Sequence, residues 1–333
     1  MSTAEEAIPE HACSFLVEHH LARTDETPRW TPLTGGVSSE LWRVDLDGGS
    51  ICVKGALARL KVAGEWTAPI SRNAVEWEWL SFAQGVMPDN VPEPLAHDPQ
   101  RGLFAMRYLP SDDYPVWKSQ LLDGNVRSSV ADDVGDLIGR LHGASVLDPE
   151  LPERFSTDEN FHILRIEPYL LTTAKAHPDL AERIHSLVTT TTSTRLALVH
   201  GDFSPKNILL GPNGPVLLDA ECAWFGDPAF DLAFLLTHLT LKMINQPADA
   251  AKLADSAQSL IQAYETQVNW EPPEAVLTRT ARLLPALMLA RVDGKSPVEY
   301  LDSGQQGVVR DLSRALLFAA SDDLDAILGS VSR

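Results

Sequence analysis

Apolar positions in the first hundred residues recur at two alternating periods. Residues 11–22 (HACSFLVEHHLA) have helical spacing. Residues 29–36 (RWTPLTGG) and 39–46 (SELWRVDL) are β-like and flank a small-residue turn. DGGS at 47–50 then leads into ICVKGAL at 51–57, which predicts a hairpin. Residues 71–85 carry Val75, Trp79, Leu80 and Phe82 at helical spacing and predict a helix ending at Gly85. Residues 91–102 are extended and proline-rich, LFAMRYL (103–109) reads as a buried strand, and PSDDYP (110–115) as a connector.

Beyond the connector the period becomes helical. Residues 130–146 predict an amphipathic helix, and 167–177 and 179–190 predict weaker ones. Two apolar runs, NILL (207–210) and PVLL (215–218), are joined by GPNG and predict a second hairpin. Helices follow to the end. In KSPVEYL (295–301), Ser296 is placed to cap, Pro297 to begin and Glu299 to complete a capping box. TTTTST (189–194) reads as a loop. The class is α+β, with a small β-rich lobe (1–108) and a larger, mainly helical lobe (109–333). A cleft between two lobes is a preferred ligand site.

The 333 residues are 44% hydrophobic and 22% charged, an ordinary globular composition. The net charge of -19 argues against a nucleic-acid partner and against adhesion to anionic membranes. It is compatible with a cationic small-molecule substrate. Cys13, Cys52 and Cys222 show neither a disulfide framework nor metal spacing, which fits a reducing cytoplasm. The N-terminus lacks the pattern of a signal peptide, and LLPALMLA (283–290) is too short to span a membrane.

The chemistry concentrates in residues 198–221. Folding at GPNG brings Asn207, at the start of one strand, towards Asp219, at the end of the other. Asp202 lies on a loop that can curl over Asn207. A carboxylate and an amide oxygen suit Mg2+, which takes oxygen ligands and keeps waters and substrate phosphates. Asp202 then remains to take a proton from an attacking hydroxyl. Singly, such residues are common turn and cap formers; the combined spacing is what points to chemistry.

HGDFSPKN and LLDAE resemble the catalytic and metal-binding segments of the aminoglycoside phosphotransferase and choline kinase family, small-molecule kinases with a bilobal protein-kinase-like fold. Gly201 stands where protein kinases have Arg, and Ala220 where they have Phe. WFGDPAFDLAFLL (224–236) resembles a further family segment. The resemblance implies ATP and Mg2+ as cofactors, Asp202 as the catalytic base or hydroxyl-orienting group, and Asn207 and Asp219 as metal ligands. Asp231 would bond backbone amides beneath the catalytic loop, and His142 and His200 would be structural. Lys54 would touch the α- and β-phosphates and pair with Glu76, with Glu78 a competing candidate. Ser38 and Ser39, beside Gly35 and Gly36, lie where a phosphate-covering loop belongs, although an ordinary hairpin turn also fits. The backbone at Arg107 and Leu109 would meet adenine.

The acceptor is less legible. Glu221 belongs to a D-x-E-x-A run similar to that of methylthioribose kinases, but the loop after HGD differs from theirs. Lys206 either neutralises the transferred phosphate or faces solvent. Arg291, with Asp293 and Lys295, is either part of an acceptor pocket or of a solvated loop. These features lead to the expectation of an ATP- and Mg-dependent phosphotransferase acting on a small-molecule hydroxyl: an aminoglycoside, an amino alcohol or a sugar-like acceptor. A non-catalytic nucleotide-binding protein and, more distantly, a protein kinase are the alternatives.

Overall fold

The computed structural model describes residues 11–33, 39–57 and 69–331. The chain divides into two compact units, Met1–Pro110 and Ser111–Arg333.

In the first unit, helix α1 (Ala12–Glu18) precedes β1 (Arg29–Pro32), β2 (Ser39–Leu46) and β3 (Gly49–Ala56). Helix α2 (Arg72–Val86) follows, then β4 (Pro94–Asp98) and β5 (Leu103–Arg107). The strands form one antiparallel sheet in the order β1-β2-β3-β5-β4. Side chains alternate across a strand, so the two sheet faces carry different residues. Trp42, Val44, Val53, Leu103 and Ala105 pack with Phe15 and Leu16 of α1 into one core. Lys54, next to Val53, is directed to the opposite face. Helix α2 does not stop at Gly85 but continues to Val86.

The second unit opens with α3 (Trp117–Leu122) and α4 (Ser128–Val146). Short helices α5 (Leu151–Arg154) and α6 (Asp158–Phe161) lead into a π-helical stretch, His162–Leu171, then α7 (Thr172–Ala176) and α8 (Ala181–Ser193). Strand β6 (Ala197–Val199) pairs with β9 (Trp224–Gly226), and β7 (Ile208–Gly211) forms a hairpin with β8 (Gly214–Leu217). The rest is helical: α9 (Ala229–Asn245), α10 (Ala250–Gln267), α11 (Pro273–Asp293), α12 (Ser303–Ala319) and α13 (Leu324–Val331). Helix α9 is buried along Ala229–Met243 and packs against α10, α11, α12 and α13.

Two local expectations are corrected. The run 189–194 is helical through Ser193, with threonine hydroxyls returned to carbonyls one turn back, as Thr189 does to His185 at 3.0 Å. Residues 295–301 form no helix. Ser296 is engaged by Arg291 and Glu299 by Lys118, while the capping box sits at Asp302 and Gln305, which start α12.

Candidate active site

The turn after β6 is built around Gly201. Its φ is +78°, and a Cβ there would stand 2.5 Å from the carbonyl oxygen of Cys222. Only glycine fits this backbone, which accounts for its place before Asp202. Beneath the turn, the fully buried Asp231 on α9 accepts from the His200 amide at 2.7 Å and the Gly201 amide at 2.9 Å. His142 on α4 lies 3.3 Å from the same carboxylate and 3.1 Å from the Tyr264 hydroxyl. His200 accepts the Asp202 amide at Nδ1 (3.2 Å), so Nε2 carries the hydrogen that goes to the Leu218 carbonyl at 3.0 Å. Burial holds His200 below its usual pKa, in keeping with this neutral tautomer. The imidazole thus ties the Asp202 turn to the strand end that leads into Asp219.

Asp202 is buried. Its Oδ1 is 2.9 Å from the Arg165 guanidinium, and its Oδ2 is 2.9 Å from both Lys206 Nζ and Asn207 Nδ2. Burial by itself would push the carboxyl up; Arg165, and after it Lys206, reverse this and hold it below the usual carboxylate value. Asn207 spends its amide nitrogen on Asp202, through the side chain and the backbone carbonyl (3.0 Å). Its oxygen is thereby turned towards other ligands. Asp219 follows β8 with φ +67°, a left-handed conformation uncommon outside glycine. Its charge acts on Asp202, His200 and Lys206. The Leu218 amide donates to the Asn207 carbonyl at 2.9 Å, which holds the two hairpin ends together. Among the described residues no group of three or more His, Cys, Asp or Glu is arranged to hold a metal. A magnesium ion arriving with nucleotide phosphates needs only one or two protein oxygens, so Asn207 and Asp219 fit it chemically.

Arg165 was not legible in the sequence. It lies on the π-helical stretch, where it also donates to the Gly201 carbonyl through Nε and lies over the rings of Tyr169 and Phe234, 5.6 Å from each. The only available signal was a charged residue inside the apolar run 161–171.

In the first unit, Lys54 on β3 is buried and bonded to both oxygens of Glu76, at 2.8 and 2.7 Å. Arg72 serves the Pro69 and Leu57 carbonyls. Ser39 is buried on β2 opposite Ala56, and Ser38, Gly35 and Gly36 lie outside the described residues. The Arg107 amide is committed to the Glu93 carbonyl at 2.9 Å; Leu109 follows β5 in irregular backbone.

Glu221 is buried, and its carbonyl accepts from Asn160 at 2.7 Å. Arg291 and Asp293 belong to α11, so no single loop gathers them with Lys295 as the sequence suggested. Arg291 bonds the Tyr169 hydroxyl (3.2 Å) and Ser296, Asp293 bonds Arg310 and His177, and Lys295 bonds Glu167. Helix α11 continues through Asp293, into the run that the sequence suggested was a loop, and Lys295 lies beyond its end.

Residues 29–276 match the model of a family described as the phosphotransferase enzyme family. The methylthioribose kinase of Escherichia coli O45:K1 is 23% identical over 245 residues, 64% of this chain and 58% of that protein. The chain therefore aligns with less than two thirds of that curated relative. Among solved structures, an ethanolamine kinase of Plasmodium vivax superposes with a TM-score of 0.56 at 10% identity, covering 96% of this chain and 99% of that one. An aminoglycoside phosphotransferase of Alicyclobacillus acidocaldarius superposes with a TM-score of 0.54 at 12% identity, covering 99% and 96%. At these identities the likeness establishes a shared kinase-like fold.

Proposed function

The chain belongs to the phosphotransferase enzyme family, and from that premise we propose that it is a small-molecule kinase moving the γ-phosphate of ATP to an acceptor hydroxyl. The observation that carries this reading is the state of Asp202: ionised, buried and clamped from three sides by Arg165, Lys206 and Asn207.

The acceptor oxygen attacks the γ-phosphorus, the bond to the bridging oxygen breaks with its electron pair leaving on ADP, and the hydroxyl proton passes to Asp202. An ionised carboxylate is too weak a base to remove an alcohol proton beforehand. Asp202 therefore orients the hydroxyl and takes the proton late, as a loose phosphoryl-transfer transition state allows. Asn207 and Asp219 would hold Mg2+, which supplies charge neutralisation on the phosphates. Lys206, adjacent to Asn207, adds a cation beside the transferring group. Lys54, fixed by Glu76, is the phosphate-binding ammonium of the first unit.

The test is acceptor-dependent ADP release with Mg-ATP, comparing the chain with Asp202→Ala. Turnover should fall by ~10²–10⁴-fold while ATP binding is retained. Full turnover by the variant would remove Asp202 from its role. ATP binding with no turnover on any acceptor would favour a nucleotide-binding protein without catalysis.

A further inference from the structure

Helix α9 is buried along almost its whole length, so its polar residues stand out. Asp231 supports the catalytic turn; His238 and Lys242 have no part in it. Lys242 is fully buried. Its ammonium reaches the His238 carbonyl at 3.4 Å and lies 5.0 Å from the centre of the Tyr300 ring. Among the described residues, no carboxylate is bonded to it, and Glu299 acts on it only at longer range.

Its surroundings are also cationic. Arg291 is satisfied by the Tyr169 hydroxyl and by Ser296, none of them charged, and its Nε is buried without a partner. The Tyr300 hydroxyl is likewise buried without a partner. Lys118, on α3, lies 5.9 Å from the same Tyr300 ring and pairs with Glu299. Burial, then Arg291, Lys242, Lys206 and Lys118, push His238 well below its usual pKa, so these cations act on one spot. Lys206 is the lysine that holds Asp202. The cluster also reaches the catalytic turn through Tyr169, which bonds Arg291 and carries Arg165 over its ring.

A buried ammonium with no carboxylate bonded to it destabilises the chain that contains it, and Glu299, which favours the charge of Lys242, is already paired with Lys118. Lys242 thus lies in a cationic cluster in which Arg291 Nε and the Tyr300 hydroxyl are buried without partners. We propose that Lys242, Arg291 and the Tyr300 hydroxyl form an anion subsite for the acceptor, so that the substrate is a hydroxy compound bearing a carboxylate or a phosphate. The inference rests on the kinase reading for its placement of the reacting hydroxyl at Asp202. It reverses the leaning towards a cationic acceptor that the net charge suggested.

Two measurements on the full chain separate this inference from the reading beneath it. The first is thermal stability in saturating Mg-ADP, which fills the nucleotide site, with added gluconate, glucose 6-phosphate, glucose or glucosamine. The two anionic compounds should raise Tm, and neither the neutral nor the cationic one should; whichever anion acts identifies carboxylate or phosphate. Lys242→Met and Arg291→Met should each abolish that rise and keep the rise given by Mg-ADP. Absence of a rise with both anions, an equal rise with glucosamine, or an undiminished rise in both variants overturns the subsite.

The second is ADP release with Mg-ATP over the same compounds. Anionic acceptors should be turned over, with KM about ten-fold or more higher in Lys242→Met, the loss of one charge-assisted bond. Preferential turnover of a neutral or cationic acceptor overturns the subsite. A Tm response confined to anions, with no ADP release from any compound, leaves the subsite standing and removes the kinase reading.

Discussion

Arg165→Met tests how far the Asp202 carboxylate depends on one guanidinium. Arg165 is buried, meets Asp202 Oδ1 at 2.9 Å and donates to the Leu164 carbonyl at 2.7 Å and to the Gly201 carbonyl. Methionine keeps the apolar stem against Tyr169 and Phe234 but removes the charge. Deleting one partner of a buried ion pair costs about 3–5 kcal/mol, because the other charge is left stranded. Lys206 stays on Oδ2 but, with its side chain 46% exposed, it holds the carboxylate less strongly than Arg165 does. The pH dependence gives the sharper check. With Arg165 present, the folded pKa of Asp202 lies below its ordinary 3.8, so the stability it contributes is present above that value and lost as pH falls through the folded pKa. Without Arg165 the burial effect prevails and the folded pKa rises, so stability is lost as pH rises through the new folded value. Urea denaturation should show a deficit that is large at pH ~7.5 and shrinks near pH ~4.5. Asp202→Asn in the same background should restore most of the loss at the higher pH. An equal deficit at both pH values, or no rescue, refutes the account of Asp202 as a carboxylate kept ionised by Arg165.

Gly201→Ala should destabilise by ~3 kcal/mol or more, measured by chemical denaturation, because a Cβ would meet the Cys222 carbonyl at 2.5 Å on a backbone with φ +78°; near-wild-type stability would mean the turn is not confined as described. Lys54→Met should raise the KM for ATP and destabilise the first unit by leaving Glu76 buried without its ammonium, whereas Lys54→Met with Glu76→Gln should recover stability without recovering ATP affinity.

Local pattern and long-range chemistry were not equally readable. Strand β2 emerged as a β-like run beside a turn, and β5, β7 and β8 emerged as short apolar runs bounded by turn residues, because a strand buried on both faces carries apolar side chains without alternation. The pairing of Lys54 with Glu76 was legible because a lysine on a buried strand requires a carboxylate nearby, and α2 offers few. The convergence of Asp202, Asn207 and Asp219 was readable because the hairpin that joins them is local. Arg165 lies 37 residues before Asp202 and packs against it only through tertiary folding, so no spacing rule connects them. The same is true of Lys242, which sits in an apolar helix and acquires meaning from Tyr300 and Arg291, both brought in from α11 and the segment after it. The failed capping box at Ser296 has the same origin: Arg291 and Lys118 claim the residues that local propensity assigned to a helix start.

The net charge of -19 is compatible with a cationic acceptor, but it averages over the surface, whereas recognition acts at contact distance. In physiological salt, exposed charges are screened within about 8 Å, so the acidic exterior governs solubility and encounter more than the balance inside a site. Around Asp202 that balance is reversed. Arg165, Lys206, Lys118, Lys242 and Arg291 supply positive charge, against Asp202, Asp219, Glu221 and Glu299. A cationic acceptor would enlarge a surplus whose mutual repulsion already draws Lys242, after burial, down to about 7. An anionic acceptor would relieve it, restoring the proton to Lys242 and strengthening its own binding. The free chain should therefore gain stability as pH rises from about 7 towards the ordinary lysine value of 10.5, where the folded state has shed a proton that the unfolded state keeps. Lys242→Met should flatten that rise. An unchanged pH profile in the variant would mean that the ammonium is not confined by its neighbours, and the argument from charge balance would fail with it.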